Sequence, residues 1–349
     1  GESVFKLERD EIRVVYTWNA ENPGNWSDVN NWVADTPANY GYPGTVGNAG
    51  YYHSSIFFNS NAEVDLQGGQ YCLTDNAGAF VFAPNINVII KNGVLGLNSH
   101  GITVGSSGTT VEYRDLKLSV KTTGDDFFNL SFAGGSTNIF TGSGNYSWNY
   151  LPVNKNTKVV FKDGEMSTEY SNTGFTNLDS QELEINNATW LIKVNNSTTG
   201  ATRGIAGVVK FRDGVDRQAQ LKVQSKKSLM LQGTYDFVLS SDREYTHYVE
   251  AGNAYTYVKD GAATTYKCNI KVDATALVEE AKVPLMKFTA VDNYTNEIMA
   301  EMVDPANNYL KVIVDGKEVD NSKYGASLVW ENNILYYQQD TQNAAEVGG

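Results

Sequence analysis

Asp125 and Asp126, directly after Gly124, are the most suggestive acidic pair in the chain. Two carboxylates can act as general acid and base on a glycosidic bond, and carboxylates can also gather calcium for polysaccharide lysis. Neighbouring residues in a strand point to opposite faces, so this pair shares a site only in a loop. Asp163 and Asp213 each precede a glycine, which places them in turns. Arg114, Arg212 and Arg217 alternate with apolar neighbours and read as a solvated strand face. His53, His100 and His247 stand apart from one another and read as surface or turn residues rather than ligands. The chain holds no His-Glu-x-x-His, no calcium loop and no Gly-x-Ser-x-Gly. Gly105-Ser-Ser-Gly108 lacks the lysine of a phosphate loop. The residues therefore call for no cofactor and no metal, and favour a chain without catalysis.

A second group suggests recognition. Tyr245, Tyr248, Tyr255 and Tyr257 fall in what reads as an inserted hairpin at about 240–262, with strands over Tyr245–Val249 and Tyr255–Val258. The rings could stack on a ligand, or simply cover a strand edge; both readings stay open. Trp18, Trp26 and Trp32, separated by Asn, Asp and Gly, form the other aromatic cluster. They suit a plug over the end of a core better than a sugar platform, because an exposed tryptophan cluster invites aggregation.

What positions these residues is a chain of short strands and turns. Glycine numbers 32 and tyrosine 21 of 349 residues, while charged residues are only 19%. Asn is abundant, and Asn and Gly tolerate the left-handed backbone that tight turns need. Most of the chain alternates apolar and polar residues, the strand period. Helical periodicity is nearly absent; its best candidate is Ala276–Val283. The net charge of −13 argues against a nucleic-acid partner. No run approaches the ~18 apolar residues of a transmembrane segment. The two cysteines, Cys72 and Cys268, read as buried free thiols or as one long-range bridge. The opening GESVFKLERD has no apolar signal core, so the expectation of secretion rests on composition.

One pattern recurs: apolar, any, apolar, polar, then Asn or Asp, usually before Gly. It occurs at Val88–Gly93, Val111–Leu116, Val159–Gly164, Leu183–Ala188 and Val209–Gly214, with a shortened copy at Leu229–Gly233. The Asn/Asp positions 92, 115, 163, 187 and 213 are 23, 48, 24 and 26 residues apart, and a degenerate copy near Thr137–Gly142 fills the double interval. A unit of that size cannot bury its apolar face alone, but stacked units can. The expected fold is all-β: a right-handed parallel β-helix (a solenoid), with an N-terminal cap and a small C-terminal β appendix. The alternative is a pair of antiparallel β-sandwiches. The expected divisions are a Trp-rich cap over 1–60, the β-helix over 61–280, a β region over 281–337 with strands at Leu310–Val314, Ser327–Trp330 and Ile334–Tyr337, and a disordered tail over 338–349.

The stretch Tyr16-Thr-Trp-Asn19, Gly24-Asn-Trp-Ser-Asp28, Asn30-Asn-Trp32, Pro43-Gly44 and Ile56-Phe-Phe58 resembles the opening of secreted bacterial proteins of the autotransporter-passenger type. Ser327–Tyr336 is similar to their closing strands. The motif-level match covers roughly 14–60, and the repeats extend it loosely to about 280; Ser54-Ser55 stand where the family usually has an acidic residue. The resemblance implies a β-helical fold and a passenger-like fragment, or a protein anchored by other means. The function expected is an adhesin-like one: an extracellular or cell-surface protein binding glycans or host or matrix proteins. The alternatives are a polysaccharide lyase or glycoside hydrolase, and a structural stalk.

Overall fold

The computed structural model describes residues 12–20, 23–35, 41–43, 52–73, 80–97, 103–119, 131–142, 144–147, 157–170, 182–194, 201–202, 207–255, 258–259, 262–263, 268–277 and 280–340. The chain is all-β, with one α-helix, Asn293–Val303, among these residues. No described helix is long and apolar enough to cross a membrane.

The repeat becomes a column of parallel strands in register. Ala62–Asp65, Asn87–Leu97, Thr110–Ser119, Thr137–Thr141, Lys158–Tyr170, Glu182–Val194, Val208–Arg212, Thr234–Ser240, Asn269–Ala276 and Leu310–Val314 pair in that order, each parallel to the next. The second apolar position of the pattern runs through Val64, Ile90, Tyr113, Phe140, Phe161, Ile185, Phe211, Phe237, Val272 and Val312, all buried. Neighbouring rings stack at two places, Tyr113 on Phe140 at 4.8 Å and 13° and Phe211 on Phe237 at 4.9 Å and 10°, while Phe140 and Phe161 are tilted at 31°. Burial of one apolar side chain per layer at this position supplies roughly 1.5–3 kcal/mol each before entropy is charged against it.

The Asn/Asp positions of the pattern turn the chain. Asn92, Asp115, Asp163 and Asn187 have φ of 59°, 47°, 53° and 50°, and Gly142 has 83°. Each sits inside a strand run or at its end and swings the next few residues into a second column. There, residues after the corner pair again: Gln70–Leu73 with Val94–Leu97, Leu116–Ser119 with Gly93–Gly96, Gly144–Ser147 with Met166–Glu169, Thr189–Ile192 with Gln220–Val223, then Val249–Ala251 and Met286–Phe288. A third set of short parallel pairs joins Tyr52–Phe58 to Phe80–Phe82, Thr103–Val104 to Ser131–Phe132, and Ala201–Thr202 to Ser228–Met230 to Ala254–Tyr255.

The sheets are mixed because antiparallel pairing enters near both ends. Ile12–Trp18 runs antiparallel to Trp32–Ala34. At the other end Leu310–Val314 turns back as Lys317–Val319, and Ala281–Phe288 pairs with Ile334–Gln339, which pairs with Ser327–Glu331. The expected C-terminal strands are therefore present, and the last extends to Gln339. The helix was not expected. Ala276–Val283, the segment with the best helical periodicity, instead holds the end of Asn269–Ala276 and the start of Ala281–Phe288. The helix starts at Asp292, whose carboxylate accepts from the Thr295 amide at 2.7 Å.

Trp18, Trp26 and Trp32 are all buried. Trp32 meets Trp18 at 4.8 Å and Trp26 at 5.1 Å, edge to face, and Trp26 stacks on Tyr71 of the first layer at 5.5 Å. The indole N–H groups of Trp26 and Trp32 donate to the carbonyls of Pro43 and Trp26 at 2.9 and 2.7 Å. The cluster packs, through Trp26, against Tyr71 of the strand Gln70–Leu73.

Candidate functional site

The corner at Asp213 departs from the others. Asp213 does not adopt the left-handed conformation, because six residues, Gly214–Ala219, separate it from the next strand, Gln220–Val223. The carboxylate gathers the resulting loop. Its Oδ1 accepts from the Ala219 amide at 2.7 Å, and its Oδ2 accepts from the Tyr248 hydroxyl at 2.7 Å and faces Arg243 Nη1 at 3.2 Å. Arg243 also donates to the Gly214 carbonyl at 2.6 Å. Two loops, 213–219 and 241–248, are thereby tied together across layers.

Burial raises the Asp213 pKa, and it outweighs the amide, the Tyr248 hydroxyl and Arg243, which all favour the charged form. Burial also raises Tyr248 beside that carboxylate. Tyr245 accepts from the Ser240 amide at 2.6 Å and donates to the Ser240 carbonyl at 3.0 Å, and burial raises its pKa too. His247 contacts Glu250 at 2.6 Å, yet its pKa is lowered, because burial outweighs the carboxylate. The loop tip is open to solvent: Val215 is 97% exposed, with Asp216, Asp242, Glu244 and Thr246 around it.

The tyrosines thus divide. Tyr248 is fully buried, against Phe237 at 5.1 Å and Phe211 at 5.6 Å, so its ring offers no face to a ligand. Tyr245 and Tyr255 are partly exposed. Tyr257 lies outside the described residues, as do Asp125 and Asp126. Tyr245–Val249 is not one strand of a hairpin; only Val249–Ala251 is extended, and it pairs in parallel with the strand Gln220–Val223. Ala254–Tyr255 likewise pairs in parallel, with Ser228–Met230. The layers below claim these strands. The antiparallel pair in this region is Val258–Lys259 with Ala262–Ala263.

The outer face of the first column is the second candidate surface. Lys158 pairs with Glu182 at 3.0 Å and Glu184 at 2.8 Å, and Glu182 with Lys210 at 2.5 Å. Asp236 takes Arg212 at 3.2 Å and Lys271 at 3.0 Å. Burial opposes ionisation of Glu182 and Glu184, but the lysine hydrogen bonds outweigh it and hold both below the usual carboxylate range. Arg114 pairs with Glu112 and Arg217 with Glu165, so the three arginines are strand-face or loop-bracing groups. These charges neutralise one another across layers. The surface is polar, and its charges are paired.

Asp213 is a single carboxyl whose partners are an amide, a phenol and a guanidinium, which is not the paired-carboxylate arrangement of glycoside hydrolysis. Among the described residues no group of three or more His, Cys, Asp and Glu could hold a metal ion. Cys268 is a free buried thiol; the side chain of Cys72 lies outside the described residues. Comparison of the chain with protein-family models, with curated proteins and with solved structures finds no match in any of the three.

Proposed function

We propose that the chain is a parallel β-solenoid, passenger-like in kind, that works outside the cell or at its surface as a non-catalytic, adhesin-like scaffold. The observation that carries this reading is the ten-strand column with its cross-layer ion pairs. At about 4.8 Å per layer such a column spans roughly 43 Å of repeated, planar strand surface. Polar strand faces of this kind meet an extended glycan or a protein strand with many weak contacts and little ordering cost. The exposed corner of Val215, Asp216, Glu244 and Thr246 interrupts that face, and loops on a rigid scaffold are where recognition concentrates.

The test is a binding screen of the purified chain against a glycan array and a panel of matrix proteins, with polysaccharide turnover measured in parallel. The reading expects saturable binding that weakens in Val215→Asp with Glu244→Lys, and no turnover. Release of oligosaccharide products by the native chain would overturn it in favour of the hydrolase or lyase.

A further inference from the structure

Two strands near the C-terminal end each keep one free edge. Among the described residues, Lys317–Val319 pairs only with Leu310–Val314, and Ser327–Glu331 only with Ile334–Gln339. Both pairs are hairpins with two-residue turns, Asp315-Gly316 and Asn332-Asn333, all four at positive φ. In such hairpins the residues flanking the turn exchange hydrogen bonds, and the next pair out directs its N–H and C=O groups away from its partner. Counted from the turns, Glu318 and Leu328 are outward positions. Their outward main-chain groups meet no hydrogen-bond partner among the described residues.

Both residues line one cleft of 420 Å³. Met302, Leu310 and Leu328 supply its buried apolar part, and Asp304, Glu318 and Asp320 its exposed part. No basic side chain lines it among the described residues. Asp304 and Asp320 each use one carboxylate oxygen in a helix cap, 2.9 Å from the Ala306 amide and 3.0 Å from the Ser322 amide, and the second oxygen has no partner among the described residues. Glu318 meets Lys311 at 3.7 Å, with both side chains about half in solvent. An uncovered edge is a template for a further strand. Such a strand gains affinity from main-chain bonds and specificity from side-chain pockets. Charge chooses the strand. A second copy of this chain would bring a net charge of −13 to an acidic cleft, whereas lysine or arginine side chains would bring the missing cations.

We propose that this cleft captures an extended, lysine- or arginine-bearing segment of another protein, which adds as a strand to the free edge at Glu318 and lays an apolar side chain over Met302, Leu310 and Leu328.

The probe is the peptide acetyl-Lys-Val-Lys-Val-Lys-amide, followed by fluorescence anisotropy on the full chain. Saturable binding is expected. Affinity should fall by about tenfold or more for the Glu-Val-Glu-Val-Glu counterpart and in Glu318→Pro, which removes an outward N–H at an exposed edge position. Two further lysine peptides carry N-methyl groups on one or the other alternate set of amides. One should bind and the other should lose about tenfold or more, because an added strand turns only every second N–H toward its partner. Absence of saturable binding, equal affinity for the lysine and glutamate peptides, or equal affinity for the two N-methylated peptides overturns the proposal. The last comparison needs no variant to fold. Unchanged affinity in a chain carrying Asp304→Asn, Glu318→Gln and Asp320→Asn also overturns it, by placing the peptide elsewhere. Self-association of the native chain that Glu318→Pro abolishes would assign the edge to a second copy and overturn it as well. The chain with Val215→Asp and Glu244→Lys should bind the peptide as the native chain does, so failure here and failure of the scaffold reading are told apart.

Discussion

The hydroxyl of Thr295 accepts a hydrogen bond from the backbone amide of Ala254 at 3.1 Å. Ala254 belongs to the last described strand of the third parallel set, and the helix stands where the next strand would add. The same hydroxyl donates to the Asp292 cap at 2.6 Å, so one buried side chain covers a sheet edge and fixes the start of the helix. An uncovered edge is a template for pairing with another chain, and this device removes it.

Thr295→Val keeps the shape and deletes every bond of the hydroxyl, leaving the Ala254 amide buried and unpaired. The expected loss is about 1–3 kcal/mol. Thr295→Ser keeps the hydroxyl and should recover most of it. Urea unfolding of the three chains checks this; equal midpoints for Val and Ser would show that the hydroxyl does not hold the edge.

The Asp213 corner predicts a pH dependence with an unusual sign for a carboxylate. Its folded pKa is raised, so the folded state binds the proton more tightly than the unfolded state does. The contribution is fully present below the unfolded value of about 3.9 and is lost as pH rises through the folded pKa. Relative to Asp213→Asn, the native chain should therefore lose stability as pH rises across the acid range and level off above it. Denaturation midpoints from pH 3.5 to 7 read this directly, and a difference that grows with pH in favour of the native chain would contradict it.

The corners explain how far the sequence could be read. Asn92, Asp115, Asp163 and Asn187 were legible as turns because the left-handed conformation is a local demand that a single side chain meets or fails. The in-register alternation of Val88 with Ile90 or Val209 with Phe211 was legible for the same reason. The helix was missed although Asp292 and the spacing of Thr295, Ile298, Met299 and Met302 carried its signal; eleven residues among so many strands make a weak period. Tyr248 could not be placed from its own neighbourhood. Whether its ring points in or out depends on Phe237 and Phe211, 11 and 37 residues earlier along the chain, and on the Asp213 carboxylate 35 residues earlier. Register between layers is tertiary information.

The ladder Lys158–Glu182–Lys210 predicts a modest, salt-sensitive effect. Glu182 is about one-third exposed, so each pair is worth roughly 0.2–1 kcal/mol. Lys210→Met should cost an amount in that range, and the cost should shrink in 1 M NaCl, where the screening length is about 3 Å. Because the Glu182 pKa is lowered, its contribution is present above the unfolded carboxylate value and is lost as pH falls through the folded one. A cost unchanged by salt and by acid would assign the loss to packing of the lysine stem instead.

The last prediction separates two reasons for glycine in this chain. Gly316 has φ of 75° and open space around the position of a Cβ, so Gly316→Ala is charged only for the left-handed conformation, about 1–2 kcal/mol. Gly164 has an ordinary φ, yet a Cβ there would lie 2.2 Å from the Gly142 carbonyl oxygen. That oxygen belongs to backbone, and the chain just beyond Gly164 is paired on both sides, Met166 with Gly144 and with Trp190, so neither strand can step away. Gly164→Ala should therefore cost more than Gly316→Ala, by about 2 kcal/mol or more, as close-packed interiors demand. If turn strain alone decided the matter, the order of the two unfolding midpoints would reverse. The predicted order holds only if adjacent layers approach at this corner as closely as Gly142 and Gly164 do.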